Sequence, residues 1–267
     1  MLGLSNKSQE NENIRNRPSD DSYSMIQILF SGTNEISIKT LSLTILDLIR
    51  KDQIKCDIDL DESYDVGKKL TPEDMEVMKK ITLRIANKGE LKTSETMAIK
   101  LLKTMNKSKK FNLKAMAKQT NNTSVANRFE KDLQEFVKAI ENENDYDGEN
   151  YADILENGKL TKKGKELKKE WKSFQDYLKS ESLTEKYPPQ SSDENSMQII
   201  YGSCFDIEKD ALKARENNTA LTDFIDKDGY KLLNIIFNNA LLNVNTKRKG
   251  TGIFYGVNDK YTIPGGG

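Results

Sequence analysis

Histidine is absent from this chain of 267 residues. Its absence removes imidazole acid–base chemistry, the Ser-His-Asp and Cys-His nucleophile systems and most zinc sites. Cysteine is nearly absent too: Cys56 and Cys204 stand far apart, and neither belongs to a metal-ligand spacing. A bridge between them is not expected, and a reducing compartment suits the pair. No run approaches the roughly 20 apolar residues of a membrane-spanning helix. The longest apolar stretch, 232–244, is broken by Asn234, Asn238, Asn239 and Asn243 and reads as a buried helix. The opening MLGLSNKSQENEN lacks the apolar core of a secretory signal. Charge of one sign is missing as well, since Lys plus Arg equals Asp plus Glu at 42 each. General DNA binders draw much of their affinity from neutralising phosphates and carry a basic excess, so nucleic acid is not the expected partner.

What is present points to helices. Hydrophobic residues make up 36% and charged ones 31%, which suits helices around a modest core. The stretch 37–60, SIKTLSLTILDLIRKDQIKCDIDL, organises the rest. Ile38, Leu41, Ile45 and Ile49 recur at helical spacing, then Ile54, Cys56, Ile58 and Leu60 alternate with polar residues as in a half-buried strand. Cys56 falls on the inward side, as a buried reduced thiol would. A helix turning into a strand, followed by a polar loop over 61–69, is the back half of a winged-helix unit.

The expected fold is mainly α with small β-wings: two winged-helix-like units plus a helical carboxyl-terminal extension. Residues 1–21 read as a disordered arm or linker. Residues 22–106 read as an abbreviated winged-helix-like domain with a helical extension. It contains a helix over 22–30, one from Thr71-Pro72 to about Asn87, and one over 94–105. The polar joint 107–110, KSKK, is the expected boundary. Residues 107–182 read as a second winged-helix-like domain. Here a short helix over 112–119, the turn TNNT and a long helix over 124–140 follow in helix-turn-helix order. An acidic loop over 141–156 and a helix over 160–178 complete it. Residues 183–245 read as the helical extension, with helices over 193–204, 206–215, 221–226 and 230–244. Residues 246–267 form a Gly-rich tail.

Four features could carry chemistry, and each has a plainer reading. The 37–50 helix is apolar on nearly every face, so it lacks the exposed polar side chains that read base edges. The 124–140 helix offers Asn127, Arg128 and Lys131, but Glu130, Asp132 and Glu135 repel phosphates. Lys165, Lys168, Lys169, Lys172 and Lys179 fall opposite the apolar stripe Leu167, Trp171, Phe174 and Leu178. They could contact an anionic surface, at about 1 kcal/mol per basic residue beside a charged leaflet. The plainer reading is a solvated face. Asp57, Asp59, Asp61 and Glu62 read as strand exterior and loop. DYDGEN at 145–150 lacks the ligand spacing of a calcium loop, and GTGIFYG at 250–256 lacks the strand and helix of a phosphate loop. No catalytic, cofactor-binding or metal-binding residue is assigned.

Two stretches resemble the YciQ-like predicted membrane proteins, a family of unknown function. Thr44 to Leu60, TILDLIRKDQIKCDIDL, is similar to that family's "TLLDL-x-x-KGYL-x-I" segment. Further on, Leu160-Thr161-Lys162-Lys163-Gly164-Lys165 is similar to its "LT-x-KGK" lead-in. Trp171, Phe174, Tyr177, Leu178, Pro188, Pro189, Ile200, Tyr201 and Gly202 stand at the places of its later signature. The likeness covers roughly 15–215 and extends to the Gly-rich terminus. The chain departs from it at Asp52-Gln53, where the family has Gly-Tyr, and at Phe205-Asp206. The resemblance implies the cytosolic, α-rich region of a membrane protein whose β-domain lies outside the membrane, here without its anchor. It implies no catalytic residues. The expected function is a non-enzymatic protein-interaction or assembly module at the cytosolic face of a membrane. The alternative is a soluble winged-helix DNA-binding regulator.

Overall fold

Ile81, Leu83 and Ile85 alternate with Thr82 and Arg84, and this period of two makes 81–85 the central strand of a small antiparallel sheet. The computed structural model describes residues 18, 23–31, 38–61, 64, 66, 71–86, 89–142, 154–156, 159–207 and 220–245. They are mainly helical with a small β component, as the sequence predicts. The chain divides into two compact units, one of Met1–Asn34 with Asn144–Asn217, the other of Glu35–Glu143 with Asn218–Gly267.

The larger unit begins with α2 (Ile38–Arg50), which turns directly into β1 (Ile54–Ile58). The amide of Gln53 donates to Leu48 O at 2.9 Å and that of Asp52 to Ile49 O at 3.0 Å. These bonds close the helix with Asp52 in the left-handed region at φ 58°. Asp206 and Asp228 also take left-handed φ values, 58° and 56°. Glycine favours this conformation because it has no Cβ, while Asp tolerates it at a cost. Asp52→Gly is therefore expected to raise stability by about 0.5–1 kcal/mol, read as the shift in the urea midpoint. A lower midpoint would mean that the exposed Lys55–Asp52 ion pair outweighs the backbone gain.

Thr71 caps α3 (Pro72–Lys80), accepting from Asp74 N at 3.2 Å while the Asp74 carboxylate accepts from Thr71 N. The expected continuation of this helix to Asn87 does not occur. The chain leaves α3 at Lys80 and enters β2 (Ile81–Ile85) without a break. α4 (Thr93–Met105) leads to β3 (Lys110–Asn112), which pairs with β2. The expected boundary at 107–110 thus leads into the third strand of one sheet. In this sheet α3 lies between β1 and β2, and α4 lies between β2 and β3.

Asn112 caps α5 (Leu113–Gln119), and a short turn leads to α6 (Thr123–Asn142). α10 (Ala220–Asp226) and α11 (Gly229–Asn245) return from the far end of the sequence. α11 packs on α2, α5 and α6, and α10 packs on β1. Two of the asparagines that interrupt the apolar run of α11 act as hooks. Asn234 accepts from Ser42 Oγ at 2.7 Å, and Asn243 donates to Thr120 O at 2.8 Å. A Cβ on Gly229 would fall 2.4 Å from the Phe224 ring and 2.7 Å from its carbonyl oxygen, so the α10–α11 corner requires glycine.

The smaller unit joins α1 (Tyr23–Ser31) to the paired strands β4 (Leu155–Glu156) and β5 (Lys159–Leu160) and the helices α7 (Lys162–Lys179), α8 (Glu181–Lys186) and α9 (Ser192–Cys204). These units follow other boundaries than the sequence-based domains. The 23–31 helix groups with α7 and α9, because aromatic packing draws it there. Tyr23 lies 5.5 Å from Tyr201 and Phe30 lies 5.0 Å from Phe205 between ring centres. Residues 208–215 of the expected helix over 206–215, the expected arm over 1–21 apart from residue 18, and the tail over 246–267 lie outside the described residues.

Candidate functional site

The five lysines expected to face an anionic surface lie on α7. Lys165, Lys169, Lys172 and Lys179 are exposed, and Lys168 is half-buried. Lys168 Nζ sits 5.5 Å from the Phe30 ring centre and 3.5 Å from the Phe30 carbonyl oxygen, so its stem covers α1. Lys172 pairs with Asp176 and donates to Gln175 Oε1 at 3.0 Å. Lys165, Lys169 and Lys179 remain as outward cations, with the exposed Glu166, Glu170 and Asp176 among them.

The larger unit carries two further polar surfaces. One is the outer face of its sheet. Lys55, Arg84 and Lys110 stand directly opposite one another across β1, β2 and β3. Arg84 and Lys110 are exposed, as are Lys107 and Lys109 just before β3. Like charges at opposite positions repel across a sheet. The other is α6, whose exposed residues include Ser124, Asn127, Arg128, Lys131 and Lys138. By contrast, α2 is buried from Thr40 to Ile49, so the first helix weighed for base reading is a core element.

Among the described residues of this unit five carboxylates are buried, and each is bound. Asp47 meets Arg50 Nε at 2.8 Å and Lys51 Nζ at 2.7 Å. Burial pushes its carboxyl up, but the two cations outweigh this and hold it below its ordinary value of 3.8. Lys51 also reaches Glu95 Oε1 at 2.6 Å, tying α2 to α4. Asp74 caps α3 and accepts from Tyr64 Oη at 2.7 Å. Asp132 accepts from Thr104 Oγ1 at 2.5 Å and pairs with Lys100 at 2.8 Å, tying α6 to α4. Asp228 accepts from Val66 N at 2.6 Å and pairs with Lys231 at 3.0 Å.

Cys56 is half-buried, not fully buried as its inward position predicts, because β1 is covered less completely beyond Ile54. Burial, with the charges of Asp57 and Asp223, pushes its thiol up to about 12, so it is a poor nucleophile. Both cysteines are free thiols. Asp57, Asp59 and Asp61 are exposed, whereas Glu62 and the segments 145–150 and 250–256 lie outside the described residues. Among the described residues, no group of carboxylates and thiols is arranged to hold a metal ion, and no helix is long and apolar enough to cross a membrane. The chain matches no protein-family model, no curated protein and no solved structure.

One signal in the sequence escapes the balanced totals. Residues 79–138 contain fifteen Lys and Arg against five Asp and Glu, a local excess of ten positive charges. Of those five acids, Glu95 and Asp132 are buried and paired, and Glu135 pairs with Lys100 at 2.6 Å.

Proposed function

We propose that this chain is a non-enzymatic interaction or assembly module acting at the cytosolic face of a membrane. One observation carries the non-enzymatic part: among the described residues, every buried carboxylate of the larger unit is committed to a helix cap, an ion pair between elements or a loop anchor. Catalytic carboxylates instead face a site with pKa values shifted for proton transfer. The outward cations Lys165, Lys169 and Lys179 are the residues suited to an anionic leaflet, and the resemblance to YciQ-like proteins supplies the membrane context.

Co-sedimentation with vesicles tests the placement. With vesicles of mixed phosphatidylserine and phosphatidylcholine at low salt, the chain is expected to pellet. The triple variant Lys165→Glu/Lys169→Glu/Lys179→Glu is expected to lose on the order of a hundredfold in affinity, from about 1 kcal/mol per cation. Equal pelleting of both proteins, or of neither, would remove α7 as the membrane-facing surface.

A further inference from the structure

We propose that the larger unit binds duplex DNA through the outward face of α6. This inference is independent of the membrane reading, because it rests on other residues in another unit.

The sequence sets Glu130, Asp132 and Glu135 against phosphate contact, and the structure changes that balance. Asp132 points into the α4 contact, bound by Thr104 and Lys100. Lys100 also pairs with Glu135, and Glu130 is half-buried. The first two turns of the exposed face are then Ser124, Asn127, Arg128 and Lys131, without a carboxylate. These residues recur at spacings of three and four and share one side of the helix. Arg pairs with the guanine edge and Asn with the adenine edge, and helix-turn-helix proteins place such residues near the start of the second helix. Asn122 orders that start, its side-chain oxygen accepting from Ser124 N at 3.0 Å. The preceding helix and turn, α5 and residues 120–122, supply the helix-turn-helix order.

Charge is the second observation. The excess of ten positive charges over residues 79–138 runs into α6 from its amino-terminal side and includes the exposed Lys118 of α5. It supplies the phosphate attraction that the chain's total conceals. The groove width selects the form of the duplex. The B-form major groove admits a helix, whereas the A-form RNA major groove is too deep and narrow.

The test is fluorescence anisotropy of the full chain with a labelled, mixed-sequence DNA duplex of about 20 base pairs, two helical turns. Binding is expected in the micromolar range or tighter at low salt, falling steeply as salt rises. Arg128→Glu/Lys131→Glu is expected to lose at least tenfold. Both side chains are exposed, so its helical circular dichroism should match the parent. Lys165→Glu/Lys169→Glu is expected to bind as the parent does. No binding by the parent overturns the proposal. So does parental affinity in the α6 variant, or equally tight binding of single strands or an RNA duplex.

Discussion

Trp171→Ala is expected to remove about 4 kcal/mol from the smaller unit, within the range measured for deleting a buried aromatic ring. Trp171 is wholly buried on α7. Its ring centre lies 5.0 Å from Tyr201, 5.8 Å from Phe174 and 6.3 Å from Phe205. Phe205 in turn holds Phe30, so one ring links contacts from α1, α7 and the end of α9. Whole domains hold only about 5–15 kcal/mol, so this loss consumes much of the unit's stability. Trp171 is the only tryptophan in the chain, and its fluorescence in the parent reports the melting of this unit specifically. The variant is followed by hydrogen exchange of the α1, α7 and α9 amides, whose protection should fall by the same free energy. Trp171→Phe keeps a ring in the cluster and should lose clearly less. A loss below about 1 kcal/mol for Trp171→Ala would mean that the aromatic set closes over the gap and does not organise the unit.

Much of this unit is legible along the sequence, but its composition is not. Trp171, Phe174 and Leu178 recur at helical spacing, and Thr161 and Gly164 mark the start of α7. Thr161 accepts from Gly164 N at 3.1 Å, and a Cβ on Gly164 would sit 2.4 Å from the Ile154 carbonyl oxygen. No local period reveals that Tyr23 meets Tyr201. That pairing belongs to tertiary packing between segments far apart in the sequence, and it moves the 23–31 helix out of the expected first domain.

The larger unit shows a different kind of concealment. Ile81–Ile85 has the alternation of a strand, yet it continues a helical pattern with no glycine or proline between them. Its state is decided by partners outside the local window: Ile54 opposite Ile85 on one side, and Phe111 opposite Leu83 on the other. The helix, turn and first strand expected over 37–60 are present, and α3 stands between that strand and its neighbour β2. The polar surfaces are concealed for an electrostatic reason. A zero net charge averages an acidic stretch and a basic one, and the acids on α6 look repulsive until Lys100 and Thr104 are found beside them.

Phe237→Ala is expected to remove about 4 kcal/mol from the larger unit, and the site explains why the effect is not local. Phe237 is wholly buried at the middle of α11 and stacks on Phe129 of α6, with ring centres 5.4 Å apart and planes inclined by 17°. α11 reaches the core from the end of the sequence and holds α2 through Ser42–Asn234 and the end of α5 through Thr120–Asn243. A gap at Phe237 loosens the helix that packs on α2, α5 and α6, so urea unfolding should stay cooperative with a lower midpoint. Phe129→Ala should cost a similar amount. The double variant should cost less than the two single losses added together, by about 0.5–1.5 kcal/mol, because the ring pair is lost in either single variant. If the losses simply add, the two rings stabilise their helices separately and the stack does not join α6 to α11. A double loss smaller than the sum would instead identify that contact as the seam through which the carboxyl-terminal helix closes the core beneath the α6 surface.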